Sequence, residues 1–173
     1  MVGGTKNNST VNTTAAGTHA ASATTAAAAA AAPAKPAGLG DTIDLTDDEG
    51  DHIAVTVEKV DPKAAATDGF SSPPAGDSFY AAQVLIKNVG SSAYSDAPGN
   101  CLVVKDASGQ TFETDIVQSI SSGPLMATTV NLAAGDSSLG WVVFDVATGD
   151  TVTQVQFTVD SGMGSDTGQW TVG

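Results

Sequence analysis

The sequence predicts an all-β fold, an antiparallel sandwich or barrel over residues 38–173, carried on a disordered Ala/Thr-rich tether of residues 1–37. Three observations lead there. From Gly40 onward apolar and polar side chains alternate with a period of two, the mark of half-buried strands. Clusters of Gly, Asp, Asn, Ser and Pro interrupt that alternation every ~8–12 residues, the spacing of sandwiches and barrels. A helical period is found nowhere outside one run of alanines.

The tether comes first. Up to Pro36 it holds no Leu, Ile, Phe or acidic residue, and Ala, Thr, Asn and Ser dominate it. Such a composition buries too little apolar surface to offset the entropy of ordering. Ala26 to Ala32 are seven alanines stopped by Pro33, shorter than the ~12–15 residues an isolated helix needs in water. A flexible spacer, stiffened near Pro33 and Pro36, is expected. The opening "MVGGTKNNST" has no apolar stretch of the kind that a signal peptide carries, and no segment reaches the ~18 apolar residues that cross a bilayer as a helix.

In the head, "TIDLT" (residues 42–46) sets Ile43 and Leu45 on one face, and "HIAVTVEKV" (52–60) does the same for Ile53, Val55 and Val57. "DDEGD" between them has the chemistry of a tight turn, so the two form a hairpin. Residues 61–76 carry Pro62, Pro73 and Pro74, and proline cannot donate to a ladder, so a loop is expected. "FYAAQVLIKNVG" (79–90) follows, with Tyr80, Ala82, Val84 and Ile86 facing the core. Phe79, Ala81 and Leu85 then form a partly exposed set, and Asn88 and Gly90 supply residues tolerant of left-handed backbone angles at the strand's end. "CLVVKD" and "QTFETD" flank the turn residues 106–109. "TTVNL" leads into "LGWVVFDV", where Val142, Phe144 and Val146 share a face. "TVTQVQFTVD" turns Val155, Phe157 and Val159 inward, and "QWTV" closes the chain.

Charge narrows the partners. All 19 carboxylates lie between Asp41 and Asp166, against four lysines in the same stretch and no arginine anywhere, so the head carries −15 while the tether carries +2 from Lys6 and Lys35. That field repels phosphate backbones and anionic lipid, and excludes nucleic-acid binding. Cys101, the single cysteine, permits no internal disulfide and reads as a buried small hydrophobe opening "CLVV".

The ordered series "LGDTIDL", "VTVEKV", "AGDSFYAAQVLIKNVG", "DASGQTF", "LAAGDSSLGWVVFDV" and "VQFTVDSG" resembles a secreted actinobacterial domain of unknown function. That family shares an immunoglobulin-like β-sandwich with a mycobacterial immunoprotective extracellular antigen, and is often given the name of a telomeric repeat-binding factor. The resemblance spans nearly all of residues 38–172. It implies an immunoglobulin-like sandwich, an extracellular or cell-surface location, frequent attachment through a lipid upstream of the tether, and no catalytic residues. The Ala/Pro/Thr composition is similar to linkers of exported lipoproteins, which implies O-glycosylation at Thr13, Thr14, Thr18, Thr24 and Thr25. The telomeric name conflicts with a −15 head that lacks arginine. In the resembling strands, Gly140 is read as allowing close backbone approach.

Three surface features are candidates for chemistry. Leu139, Trp141 and Val143 fall on the face of their strand opposite Val142 and Phe144, and with Phe79 and Leu85 they form an apolar stripe. Either the 61–76 loop covers it or it is a protein-binding patch. Asp47, Asp48, Glu49 and Asp51 crowd one turn, a solvated hairpin or a weak calcium site without EF-hand spacing. His52, beside Asp48 and Asp51, is the one head histidine on which a hydrolytic triad could be built. No nucleophile-elbow, zinc-protease, phosphate-loop or dinucleotide motif is present. The sequence therefore points to a non-enzymatic extracellular binding or adhesion domain with no cofactor and an unidentified protein or cell-envelope partner. The alternative is a structural subunit that self-associates by edge-strand addition.

Overall fold

The computed structural model describes residues 36–173, and the tether, the lipid attachment and the glycosylation positions lie outside the described residues. Twelve strands are formed: β1 (Ala37–Gly38), β2 (Thr42–Thr46), β3 (His52–Asp61), β4 (Asp77–Asn88), β5 (Tyr94–Asp96), β6 (Leu102–Asp106), β7 (Thr111–Phe112), β8 (Thr114–Asp115), β9 (Val130–Leu132), β10 (Ser137–Ala147), β11 (Val152–Thr158) and β12 (Thr167–Thr171). One sheet runs β1-β12-β11-β6-β7 and the other β2-β3-β4-β10-β8, while β5 and β9 make a two-stranded flap. The expected β-sandwich is what forms. Its first strand takes in Ala37, which the sequence had left to the tether, and pairs it in parallel with Trp170.

The alternating positions build the core. Ile53, Val55 and Val57 from β3, Tyr80, Val84 and Ile86 from β4, and Phe144 from β10 meet Val104, Val155, Phe157 and Trp170 of the facing sheet. Tyr80 and Phe144 pack edge to face, with ring centroids 6.5 Å apart. Two bulges keep this pattern in phase. Between Val57 and Lys59 the β3–β4 register shifts by one residue, so Val57 and Val60 both lie opposite inward partners, Val84 and Ala82. The same device between Val152 and Gln154 turns Val152 inward together with Val155.

The β2–β3 hairpin closes as expected, with the Asp51 carbonyl accepting from the Asp47 N–H at 3.1 Å. "QTFETD" does not form one strand. Thr111–Phe112 pairs with β6, and Thr114–Asp115 crosses over to β10 in the other sheet. The chain changes sheets at Glu113.

Asn88 and Gly90 do not use their tolerance of left-handed angles, since neither has positive φ. The Asn88 side chain is instead a buried fastener. Its amide donates to the carbonyls of Ser92 and Leu132 at 2.7 and 2.9 Å, and its oxygen accepts from the Gly90 N–H at 2.9 Å. A Cβ on Gly90 would sit 3.2 Å from the His52 nitrogen, so close packing rather than handedness explains the glycine.

Candidate functional site

The predicted apolar stripe is largely covered. Phe79, Ala81, Trp141 and Val143 form a second, smaller core with Ala64, Val117 and Ile120. Trp141 is 7% exposed, whereas Leu139 stands 54% exposed and Leu85 is half-buried. Phe79, Trp141 and Val143 are therefore buried and do not form the open exposed stripe expected of them. Two segments make the cover. The expected 61–76 loop lies against residues 117–121 through an Ala66–Ile120 bridge, with Thr67 donating to the Ser119 carbonyl at 3.0 Å and Ser121 to the Ala65 carbonyl at 2.8 Å. Residues 124–126 then run beside β10, where Trp141 donates to the Pro124 carbonyl and Met126 to the Trp141 carbonyl. Gly140 makes that approach possible: a Cβ there would lie 2.4 Å from the Met126 backbone. The expectation of close backbone approach at Gly140 is met.

In the acidic hairpin the Asp47 and Asp48 carboxylates are engaged by the turn and by a neighbouring loop. Asp47 Oδ1 accepts from the backbone of Glu49 and Asp51 at 3.0 and 2.7 Å. Asp48 Oδ1 accepts from the Ser165 hydroxyl at 2.7 Å, while the Asp48 N–H donates to Asp160. Among the described residues no group of three acidic, His or Cys side chains is placed to hold a metal ion. The calcium candidate formed by Asp47, Asp48, Glu49 and Asp51 thus lacks convergent ligands. His52 Nδ1 lies 3.0 Å from the Thr46 hydroxyl on an exposed face, its one side-chain hydrogen bond among the described residues.

A polar centre that sequence reasoning missed forms where the end of β5 meets Cys101 and Ser161. Asp96, 9% exposed, collects donors from five directions. The Ser161 hydroxyl donates to Oδ1 at 2.6 Å and the Ala97 N–H at 2.7 Å; the Tyr94 hydroxyl donates to Oδ2 at 2.9 Å, with the Cys101 thiol and the Ser161 N–H each at 3.2 Å. Burial alone would raise the Asp96 carboxyl. The donors, Ser161 first and then Ala97 and Cys101, outweigh burial and hold it below the usual carboxylate range. Burial and the Asp96 charge together push both the Tyr94 hydroxyl and the Cys101 thiol well up, so neither ionises at neutral pH. Asp160, Ser161 and Gly162 all have positive φ, at 55°, 54° and 84°. Two consecutive non-glycine residues in this region are costly, and the bonds to Asp96 hold Ser161 there. Cys101 closes a four-residue helical turn, α1 (Pro98–Cys101), which replaces the expected start of a strand.

A concavity of about 610 Å³ opens beside this centre. Its floor is Trp141 to Val143. One wall is β8 with Ile116 and Val117, the other is residues 125–128, and α1 and Ser161 close one end. Glu113 and Asp115 are its charged residues, and no lysine lines it. At its lip Ile116 is 83% exposed.

The sandwich, its small second core and the acidic groove bear directly on kinship. The family model described as a domain of unknown function, DUF4352, matches residues 45–168. The chain belongs to that family. No curated protein matches it. Among solved structures, the secreted protein MPT63 of Mycobacterium tuberculosis is similar at a TM-score of 0.59 and 20% identity, over 80% of this chain and 99% of that one. The yjhA protein of Bacillus subtilis is similar at 0.54 and 13%, over 79% and 99% of the two chains. A putative lipoprotein of Bacillus subtilis, ycdA, is similar at 0.54 and 14%; the match takes in 76% of this DUF4352 chain but only 38% of the lipoprotein. At these identities the likeness establishes a shared fold.

Proposed function

We propose that this DUF4352 domain is a non-enzymatic binding module that works outside the cytoplasm, at or near the cell surface, where it engages a protein or cell-envelope partner. The observation that carries the reading is the acid-lined groove of about 610 Å³ between β8 and residues 125–128, with an exposed isoleucine at its lip. A concavity of this size, with a few charged groups over an apolar floor, is the usual form of a binding site. The groups that could do chemistry nearby are already engaged. Asp96, Tyr94, Cys101 and Ser161 bond to one another, with the carboxylate kept anionic and the thiol kept neutral. An extracytoplasmic location is supported by the secreted and lipoprotein relatives that share the fold.

Self-assembly by strand addition finds less support. The outer strands β1, β7 and β8 are two residues each, and on the longer β2 the Thr46 N–H is taken by the Asp166 carboxylate at 3.0 Å. Short or capped edges are poor templates for another strand.

The reading is tested with fluorescently labelled full chain and envelope fragments from the organism that makes it. Binding should saturate and be competed by unlabelled chain, and the double variant Glu113→Lys/Asp115→Lys should lose about tenfold or more in affinity. Non-saturable binding, or a variant that binds as the wild type does, would refute it.

A further inference from the structure

Phe70, Met163 and Ile116 are the most exposed large apolar side chains, at 90%, 84% and 83%, and one carboxylate organises the loops that carry Phe70 and Ile116. Asp68 Oδ1 accepts from the Phe70 and Ser71 N–H groups at 2.8 and 2.7 Å. Its Oδ2 accepts from the Ser71 hydroxyl at 2.7 Å and, across the chain, from the Gln118 N–H at 3.0 Å. These donors, the Ser71 N–H foremost, hold the Asp68 carboxyl far below the usual carboxylate range although it is exposed to water. The Thr67–Ser119 pairs, backbone and hydroxyl, extend the seam. The Phe70 backbone is therefore held in a bonded turn beside the segment that carries Ile116 at the groove lip, so the loop itself needs little ordering when a partner arrives.

We propose that Phe70 and Ile116, with Glu113 and Asp115 in the adjoining groove, form a docking surface for a basic protein, the two apolar side chains seating in a partner and the two carboxylates meeting its lysines or arginines. This deepens the binding reading above and rests on it. Charge selects the occupant. The head carries −15, and the groove walls hold carboxylates with no lysine. A second copy of the chain, an anionic membrane or a nucleic acid would bring like charge to this surface. A small cation could fill the groove but would leave Phe70 in water, whereas a protein covers both. Aromatic anchors within a complementary charged rim carry most of the energy of such interfaces.

The test uses full chain labelled with ¹⁵N and two synthetic peptides of about twelve residues, one alternating Lys with Leu and the other alternating Glu with Leu. The Lys/Leu peptide should shift the resonances of Phe70, Asp115, Ile116 and Met126 at low salt, and the Glu/Leu peptide should not. Phe70→Ser/Ile116→Ser and Glu113→Gln/Asp115→Gln should each weaken the Lys/Leu peptide by about tenfold. Both pairs are exposed or line an open groove, so amide spectra of the free variants should match the wild type away from the substituted positions and from Ile116, whose N–H the Asp115 carboxylate accepts at 2.7 Å. Shifts spread evenly over the acidic hairpin at Asp47 to Asp51, equal binding of both peptides, or unchanged affinity in both variants would overturn the proposal. The two readings fail separately. Envelope binding that survives Phe70→Ser/Ile116→Ser removes this surface alone, and a surface that takes the Lys/Leu peptide while the chain ignores the envelope removes only the envelope partner.

Discussion

Two aspartates answer pH in opposite directions, and the difference lies in their donors. Asp96 is buried but met by five hydrogen bonds, so its folded carboxyl titrates below its unfolded value of about 3.9. A depressed carboxyl contributes stability that is fully present above the unfolded value and is lost as pH falls through the folded one. Asp145 is the reverse case. Its Oδ1 is buried without a partner, and burial, then the charges of Asp115 and Asp77, raise its carboxyl. Its charged form therefore costs stability at neutral pH, and that cost is relieved as pH falls through the raised folded value. Asp145→Asn should raise the melting temperature at pH 7 by about 2–5 °C and remove that part of the acid-side gain, as read from calorimetry between pH 7 and 4. A lower melting temperature at pH 7 would contradict the assignment. Asp96→Ala leaves the Tyr94 and Ser161 hydroxyls without their acceptor and frees the strained turn, so a loss of about 3–5 kcal/mol is expected from urea unfolding. Ser161→Gly removes one donor but relieves positive φ at the same residue, and its cost should be under half that of Asp96→Ala.

At the scale of elements, β10 shows how one strand serves two cores. Val142, Phe144 and Val146 enter the main core, while Trp141 and Val143 enter the smaller one beneath the 61–76 loop. Gly140 lets residues 124–126 lie against the strand, and a methyl group there meets the Met126 backbone at 2.4 Å. Gly140→Ala should cost about 1–3 kcal/mol and speed amide exchange at Met126, whose N–H donates to the Trp141 carbonyl. Protection unchanged at Met126 would mean the segment is held by other contacts. These elements also show which parts of the fold the sequence makes legible. Alternation in "LGWVVFDV" separates the two faces of β10 correctly, and the loop expected over Trp141 is there. Period alone does not reveal that a second segment, 117–126, joins the cover, because Val117, Ile120 and Leu125 follow no strand or helix period. The bulges at Glu58 and Thr153 escape for the same reason, since an inserted residue leaves no compositional mark. The Asp96 centre draws its members from positions 94, 96, 101 and 161, and only the folded chain brings them together. For the candidate site, parity identified the apolar stripe and composition the acidic field. The exposed Phe70 could have been found from "ATDGFSSPP", where an Asp-Gly turn carries an aromatic with no alternating apolar neighbour.

For the whole molecule, charge and edges act together on association. Nineteen carboxylates against four lysines hold like heads apart at neutral pH, and the terminal strands of both sheets are two residues long except for β2. Phe70 and Ile116 are exposed apolar side chains that favour self-contact, and like-charge repulsion between heads opposes it. This balance predicts how association depends on conditions. At pH 7 and about 0.1 M salt, where charges still repel within about 10 Å, light scattering should report a monomer across a wide concentration range. Near the isoelectric point of about 4.1 the repulsion vanishes and reversible association through the apolar flank should appear. Phe70→Ser/Ile116→Ser should suppress that association while leaving the melting temperature within about 2 °C of wild type. If the double variant associates as readily as the wild type at low pH, contact runs through another surface, and the flank is not the apolar patch that charge keeps open.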